Sequence, residues 1–478
     1  MSRWNLRHSG AARIGQVPGA PSPYRASHGV LPVDDERLGP LDTAFLRLES
    51  PGAPMHLGAL AVFHPQERVP PGRLATLLGE RIARIPALRQ RVRSTWLPPG
   101  GAAWAPDPAF EVSRHLHVHR LRRGTAMAAV AGELMAEPLD LDRPLWQLHL
   151  LTGLPEGRFA MLVKLHHAMA DGLRTVELGL RLMDGRTDGG PAQPEPAPAG
   201  VPALNGAAGG AVRLARTLGQ AAGTVAGSVG IATSVLSHVR LAALLPSAVD
   251  HARPFATSRR LVLVRLDTRD VRQVRRLHGG TEHDVLLAVV TGAFRRWLTA
   301  NDQCPERLGI RAFIPVSRRS RTTGPKRHNV LSGYLCDLPI EQADPVTALR
   351  TVRTTMDRNK AAGFSRGPGA FPVLADRMPA PAQRLTIPLL RRAGPLLFDT
   401  TITNVPIPAR PMTLAGAPLQ HVYPIAPLAH GQALGIALST YRESVHIGLH
   451  ADDRAVPDLD RIADGIPAAL AALSGSPA

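Results

Sequence analysis

The sequence predicts an α/β fold of more than one domain, and three observations point there. Its 478 residues are enough chain for two or three domains. Short apolar runs of strand type alternate with longer runs of helical period. The composition also breaks sharply at 184–204, where DGRTDGGPAQPEPAPAG reads as a Pro/Gly/Ala linker.

In chain order, residues 1–33 carry many Gly, Pro, Ser and Arg and are expected to form a disordered leader. A first domain is expected over 34–185. Residues 44–48 are short and mixed, 57–63 read as a strand, and 71–85 as a helix opening on proline. Residues 89–95 alternate as in a strand, and 125–136 have helical period. Strands are expected at 146–151 and 159–165, the second fully buried, and then a helix over 173–183.

Residues 186–257 are expected to be linker and connecting helical segment. Residues 217–237 carry no charge over a bilayer-spanning length, but Gly, Thr, Ser and Gln dilute their hydropathy, so they are not read as transmembrane. Arg213, Arg216 and Arg240 flank them, which leaves a peripheral membrane contact open beside a packed connector.

A second domain is expected over 258–478. It begins with a strand at 260–266 and an apolar helix at 285–298 introduced by His283-Asp284. Strands follow at 309–316 and 331–340, with a helix at 345–361. Residues 398–405 read as a strand entering a proline-rich turn, 432–441 and 444–450 as a hairpin, and 456–473 as a closing amphipathic helix. His446 and His450 share one face of the hairpin and are expected at the surface.

The net charge is +18, and lysine stands only at 164, 326 and 360, so arginine carries almost all of the positive charge. Such a surface attracts phosphates of nucleic acid, anionic lipid or coenzyme A. No nucleic-acid module is recognisable, which places nucleic acid last. The cluster SRRSRTTGPKRHN, with basic residues at 318, 319, 321, 326 and 327, reads equally as a solvated loop and as a phosphate site. Cys304 and Cys336 form no CxxC and read as free thiols in a reducing compartment. The N-terminal stretch lacks an apolar core of secretory type, so a cytoplasmic location is expected. His115, His117 and His119 alternate on one strand face; no carboxylate or cysteine nearby completes a metal site, and none is expected.

Chemistry concentrates in His166-His167-Ala168-Met169-Ala170-Asp171-Gly172, at a strand-to-helix junction. Neutral imidazole is a general base near neutral pH. Asp171 stands where it can orient a ring or hold the turn, and Gly172 would permit a backbone conformation that other residues resist.

HHAMADG resembles the HHxxxDG motif of CoA-dependent acyltransferases, a group that includes chloramphenicol acetyltransferase and condensation domains. LGPLDTAFLRLES (38–50), PMHLGALAVF (54–63), RPLWQLHLL (143–151), LSGYLCDLPI (331–340), TITNVPIPARPMTLAGAPL (401–419) and GQALGIALSTYRESVHIGLHAD (431–452) narrow this likeness. Together they resemble the bacterial wax ester synthase/acyl-CoA:diacylglycerol acyltransferase family from about Leu38 onward. The match departs at His283, where the family has Asn before Asp284, and at Ile407, where it has Gly.

The resemblance implies two chloramphenicol-acetyltransferase-like domains with mixed sheets and an active-site tunnel between them. It makes His167 the general base, with His166 supporting it, Asp171 locking the loop and Gly172 in the turn. Asp284, Thr403 and Asn404 are candidate substrate-binding residues, although helix capping alone would explain Asp284. An oxyanion donor is not readable; Thr401, Thr403 and Asn404 are candidates by position. The implied reaction moves a fatty acyl group from acyl-CoA, as co-substrate, to diacylglycerol or a long-chain alcohol, at a peripheral membrane or lipid-droplet surface. Another hydroxyl acceptor, such as a polyketide or glycolipid, and a non-catalytic lipid-binding role are the alternatives.

Overall fold

The computed structural model describes residues 36–50, 52–95, 101–185, 258–317, 329–363, 368–394 and 397–475. The leader at 1–33, the linker at 186–257 with its uncharged stretch, and the basic cluster at 318–327 lie outside these residues.

The first half builds β1 (Glu36–Arg37), α1 (Pro40–Leu48), β2 (His56–Phe63), α2 (Pro71–Ala83), β3 (Gln90–Ser94), β4 (Ala102–Pro106) and β5 (Leu116–Arg120). It continues with α3 (Met127–Ala136), β6 (Trp146–Thr152), β7 (Phe159–His166) and α4 (Gly172–Arg181). The short mixed stretch at 44–48 is the end of α1. That helix starts on Pro40, and Asp42 closes it by accepting from the Gly39 N–H at 3.1 Å.

The second half supplies β8 (Arg259–Asp267), α5 (Thr268–His278), α6 (Glu282–Ala300), β9 (Ile310–Ser317), β10 (Leu331–Leu338) and α7 (Pro345–Ala362). After it come α8 (Phe371–Arg377), α9 (Ala380–Ala393), β11 (Thr400–Pro406), β12 (Thr413–Leu414), β13 (Ala417–Ile425), β14 (Leu434–Tyr441), β15 (Ser444–Asp452) and α10 (Leu459–Ser474). Helix α5 escapes the apolar pattern because Val271 and Val274 are its only buried aliphatic side chains. Helices α8 and α9 are hidden by Pro372, Pro381 and Pro388, which read as breakers.

Two six-stranded mixed sheets organise the molecule, in orders β12-β13-β2-β7-β6-β5 and β10-β9-β11-β14-β15-β8. The first is antiparallel except where β5 runs parallel to β6; the second is parallel at β9-β11-β14. A small β1-β4-β3 sheet stands beside them.

Strand β13 comes from the C-terminal half, yet it pairs antiparallel with β2, with Tyr423 opposite Leu60 and Ile425 opposite Gly58. Residues 413–425 therefore belong to the first sheet, although they fall within the 258–478 expected for the second domain. The halves are locked elsewhere as well. A Cβ on Gly132 of α3 would lie 2.8 Å from the Arg259 carbonyl of β8. Arg259 is ion-paired at 2.9 Å to buried Asp452 and also donates to the Gly52 carbonyl.

This crossover overturns the surface placement expected for His446 and His450. Both are buried, at 0% and 3% exposure, because β13 packs across their face of β15. His450 Nδ1 lies 2.8 Å from the Ala426 carbonyl, and His446 Nε2 lies 3.1 Å from His421 Nδ1.

The expected face of three histidines is only partly a strand face. His115 precedes β5, stacks on Trp146 and sits 2.9 Å from its carbonyl. His117 and His119 pack with His149 of the neighbouring strand, at ring-centroid distances of 5.1 and 5.2 Å. Among the described residues no set of three or more histidine, cysteine or acidic side chains is arranged to hold a metal.

Candidate active site

The two histidines stand where β7 ends. The strand alternates its side chains, so His166 is driven into the interior, at 0% exposure, and His167 turns to the other side. The His166 ring is placed from two directions. The Ala168 N–H donates to Nδ1 at 3.0 Å, and Glu49 Oε2 lies 2.7 Å from Nε2. Because a backbone N–H only donates, Nδ1 accepts and the ring proton is assigned to Nε2, facing the carboxylate. Glu49 caps the C-terminal end of α1.

His167 is held mainly through its backbone. Its N–H donates to the Met55 carbonyl at 2.8 Å, and its carbonyl accepts from Asn329 Nδ2 at 2.7 Å. The ring stacks on Phe45 at 4.0 Å between centroids and 15° between planes. Burial lowers its pKa to about 4, against smaller opposing effects of its own backbone carbonyl and Asp171. The ring is therefore neutral at physiological pH.

Asn329 also ties this loop to α1. Its backbone N–H and Nδ2 both donate to Asp42 Oδ1, at 2.9 and 2.6 Å. Burial pushes the Asp42 carboxyl up to about 7, opposed by the bonds from Asn329 and Gly39. The sequence does not mark Glu49, Asp42 and Asn329 as site residues. The first two stand in LGPLDTAFLRLES and the third at the end of the basic cluster, but nothing local marks them as partners of the histidines.

Asp171 is buried and caps α4: Oδ1 accepts from the Arg174 N–H and its carbonyl from the Thr175 hydroxyl, both at 2.8 Å. These bonds hold the turn that leads from the histidine pair into α4. Gly172 corrects an expectation. It is the first residue of α4, its φ is not positive, and a Cβ there would make an ordinary 3.5 Å contact with Val405. No unusual backbone conformation calls for glycine.

A cavity of about 280 Å³ lies between the two halves, and His167 lines it. Most of its wall is apolar, including Leu57, Leu180, Phe313, Phe371 and Leu397. Thr401, Thr403 and Val405 line it from alternate positions of β11. Asn404 does not. The two-residue period of the strand places it on the opposite face, and it is exposed. Asp284 is absent from the lining as well. It forms a capping box at the start of α6, accepting from Thr281 N–H at 2.8 Å while its own N–H donates to Thr281 Oγ1 at 3.2 Å. The arrangement thus offers a neutral imidazole, fixed in place, on the wall of a mainly apolar cavity. It suits proton abstraction from a hydroxyl of an oily substrate.

The chain matches the wax ester synthase/diacylglycerol acyltransferase catalytic domain over residues 38–286, and the C-terminal domain of the same family over 328–474. It is 31% identical over 445 residues to the probable diacylglycerol O-acyltransferase tgs1 of Mycobacterium tuberculosis, covering 91% of this chain and 95% of that protein. Tgs2 of the same organism is 30% identical over 442 residues, covering 88% of this chain and 95% of that one. Among solved structures, the wax ester synthase/diacylglycerol acyltransferase of Marinobacter aquaeolei VT8 superposes with a TM-score of 0.66 at 24% identity, over 92% of this chain and all of that one. The first condensation domain of the calcium-dependent antibiotic synthetase shares the fold, with a TM-score of 0.58 at 18% identity over 93% of this chain and 97% of that one. With two-domain sheets of this kind, both family domains matched and relatives aligned over nine-tenths of its length, the chain belongs to the wax ester synthase/diacylglycerol acyltransferase family of O-acyltransferases.

Proposed function

We propose that this protein transfers a long-chain acyl group from acyl-CoA to the hydroxyl of diacylglycerol or a long-chain alcohol, with His167 as general base and no acyl-enzyme. The observation that carries this reading is the neutral His167 ring on the wall of a cavity whose lining is mainly apolar. Nε2 of His167 is the nitrogen assigned to meet substrate. A ring that titrates near 4 is a weak base toward a free alcohol. It takes the proton as the acceptor oxygen bonds to the thioester carbon, when that proton becomes strongly acidic. The tetrahedral oxyanion then collapses, the C–S bond breaks, and the departing thiolate receives the proton from His167.

His166 serves as support, with Glu49 and Ala168 holding its ring. Thr403 is a wall residue able to offer a hydroxyl to substrate. We further propose peripheral contact with a membrane or lipid droplet, supported by the oily substrates and the +18 charge. Among the described residues no helix is long and apolar enough to cross a membrane.

The test is an acyl-transfer assay with labelled palmitoyl-CoA and either diacylglycerol or hexadecanol, for wild type and His167→Ala. Ester product that falls by roughly 10²–10⁴ in a folded variant is expected. Undiminished product in the variant would sink the mechanism. No product from wild type with either acceptor would reject these substrates.

A further inference from the structure

One part of the cavity wall is rich in hydrogen-bond donors. Thr401, Gln432, His430 and Arg391 all line it. Gln432 is only 2% exposed, and its amide orientation is fixed by its neighbours. The Ala429 N–H donates to Oε1 at 3.3 Å and the Thr401 hydroxyl to the same oxygen at 3.4 Å. Since a backbone N–H cannot accept, the atom it meets must be the amide oxygen, and Nε2 takes the other position. Nε2 is buried and has no acceptor among the described residues. Nε of Arg391 is in the same condition. Burial and then the Arg391 charge hold the His430 ring below its ordinary range, so the guanidinium acts on this same corner.

A buried amide NH₂ without an acceptor is costly, and native interiors rarely retain one without a reason. Here the side chain borders a cavity, and a substrate oxygen would supply the missing acceptor.

We infer that Gln432, oriented by Thr401 and assisted by Arg391, is a subsite for a carbonyl oxygen that a substrate carries into the cavity. A phosphate fits less well, because one guanidinium does not offset the desolvation of a multiply charged group among apolar side chains. The inference rests on the acyl-transfer reading for its two sources of such an oxygen: a glyceryl ester of diacylglycerol and a pantetheine amide of acyl-CoA. Thr401 then has a different part from the oxyanion donor its sequence position suggested. Its hydroxyl proton is directed at Gln432 and sets the amide.

The experiment is isothermal titration of the full chain with palmitoyl-CoA below its micellar concentration and, separately, with dioctanoylglycerol. Wild type, Gln432→Leu, Gln432→Glu and Arg391→Met are compared, each with a thermal melt. Gln432→Glu keeps the oxygen that Ala429 contacts and removes the donor, so it carries the test if the leucine variant fails to fold. Both Gln432 variants are expected to weaken one ligand about tenfold, the worth of one hydrogen bond, while Tm holds. Selective loss of palmitoyl-CoA assigns the oxygen to pantetheine, and selective loss of dioctanoylglycerol to the glyceryl ester. Unchanged affinity for both, or equal weakening of both, overturns the subsite. A wild type that binds both ligands yet makes no product would defeat the acyl-transfer reading alone, and the affinity comparison would still decide the subsite.

Discussion

Glu49 Oε2 and His166 Nε2 stand 2.7 Å apart, joining the end of α1 to the end of β7 beside the proposed base. With Nδ1 engaged by Ala168, the His166 ring has one tautomer and one orientation. Glu49→Gln keeps the shape and removes the charge. On the proposed reading, in which His166 supports His167 without touching substrate, it is expected to lower kcat about tenfold with little change in KM. Steady-state kinetics with a thermal melt check this. A rise in KM at constant kcat would instead place Glu49 in substrate binding.

Asn329 bridges Asp42 and the His167 carbonyl, linking two parts of the chain to the motif. Asn329→Ala is expected to cost about 1–3 kcal/mol of stability and to lower kcat, since the His167 loop loses its tether. Asp42→Ala removes the other end of the same bridge. The double variant should therefore cost less than the sum of the two single ones. Strict additivity in chemical denaturation would show that the two residues act independently.

The pH dependence follows from His167. Its ring is neutral above about 4, so kcat/KM should hold as pH falls through 6.5 and decline only toward 4. A half-loss of activity near pH 6.5, with the fold intact by circular dichroism, would contradict this.

Stability shows the sign of the same burial. His167 and His450 titrate at about 4, His446 at about 3 and His149 at about 2, all lowered first by burial from 6.5. The unfolded chain binds these protons first, so this stability is full above 6.5 and is lost as pH falls below it. Asp42 has the opposite sign: raised from 3.8 to about 7, it contributes fully below 3.8 and loses that contribution as pH rises through 7. Four histidines against one carboxyl predict a Tm that drops between pH 6.5 and 4. A Tm that rises on acidification would refute this balance.

Asp284 distinguishes helix capping from substrate contact. Its carboxylate accepts from the Thr281 N–H, with Lys360 Nζ at 3.9 Å from its other oxygen. Asp284→Ala should cost about 0.5–2 kcal/mol and leave the KM for acyl-CoA unchanged. A raised KM at constant Tm would return Asp284 to the substrate-binding residues.

Local pattern made much of this protein legible. The apolar run at 159–165, the histidine pair at its end and the following helix all appear where the sequence places them, because strand period, capping and burial act over a few residues. Asp171 is a clear case, since its capping bonds reach only three and four positions ahead.

The same locality explains the misses. Strand β13 carries Pro418 and Pro424, which argue against a strand, and it forms because β2 presents an open edge to it. Sequence position groups Asn404 with Thr403, whereas neighbours on a strand point to opposite faces.

The sequence by itself determined the family, the two mixed sheets its resemblance implied, and the position of His167 at a strand end. Only the tertiary structure decided what surrounds that histidine. Asn329 reaches His167 across 162 positions and Asp42 across 287, and Gln432 borders the cavity from a loop far along the chain. Such contacts arise when distant side chains share one buried volume, and no local periodicity encodes which of them will meet.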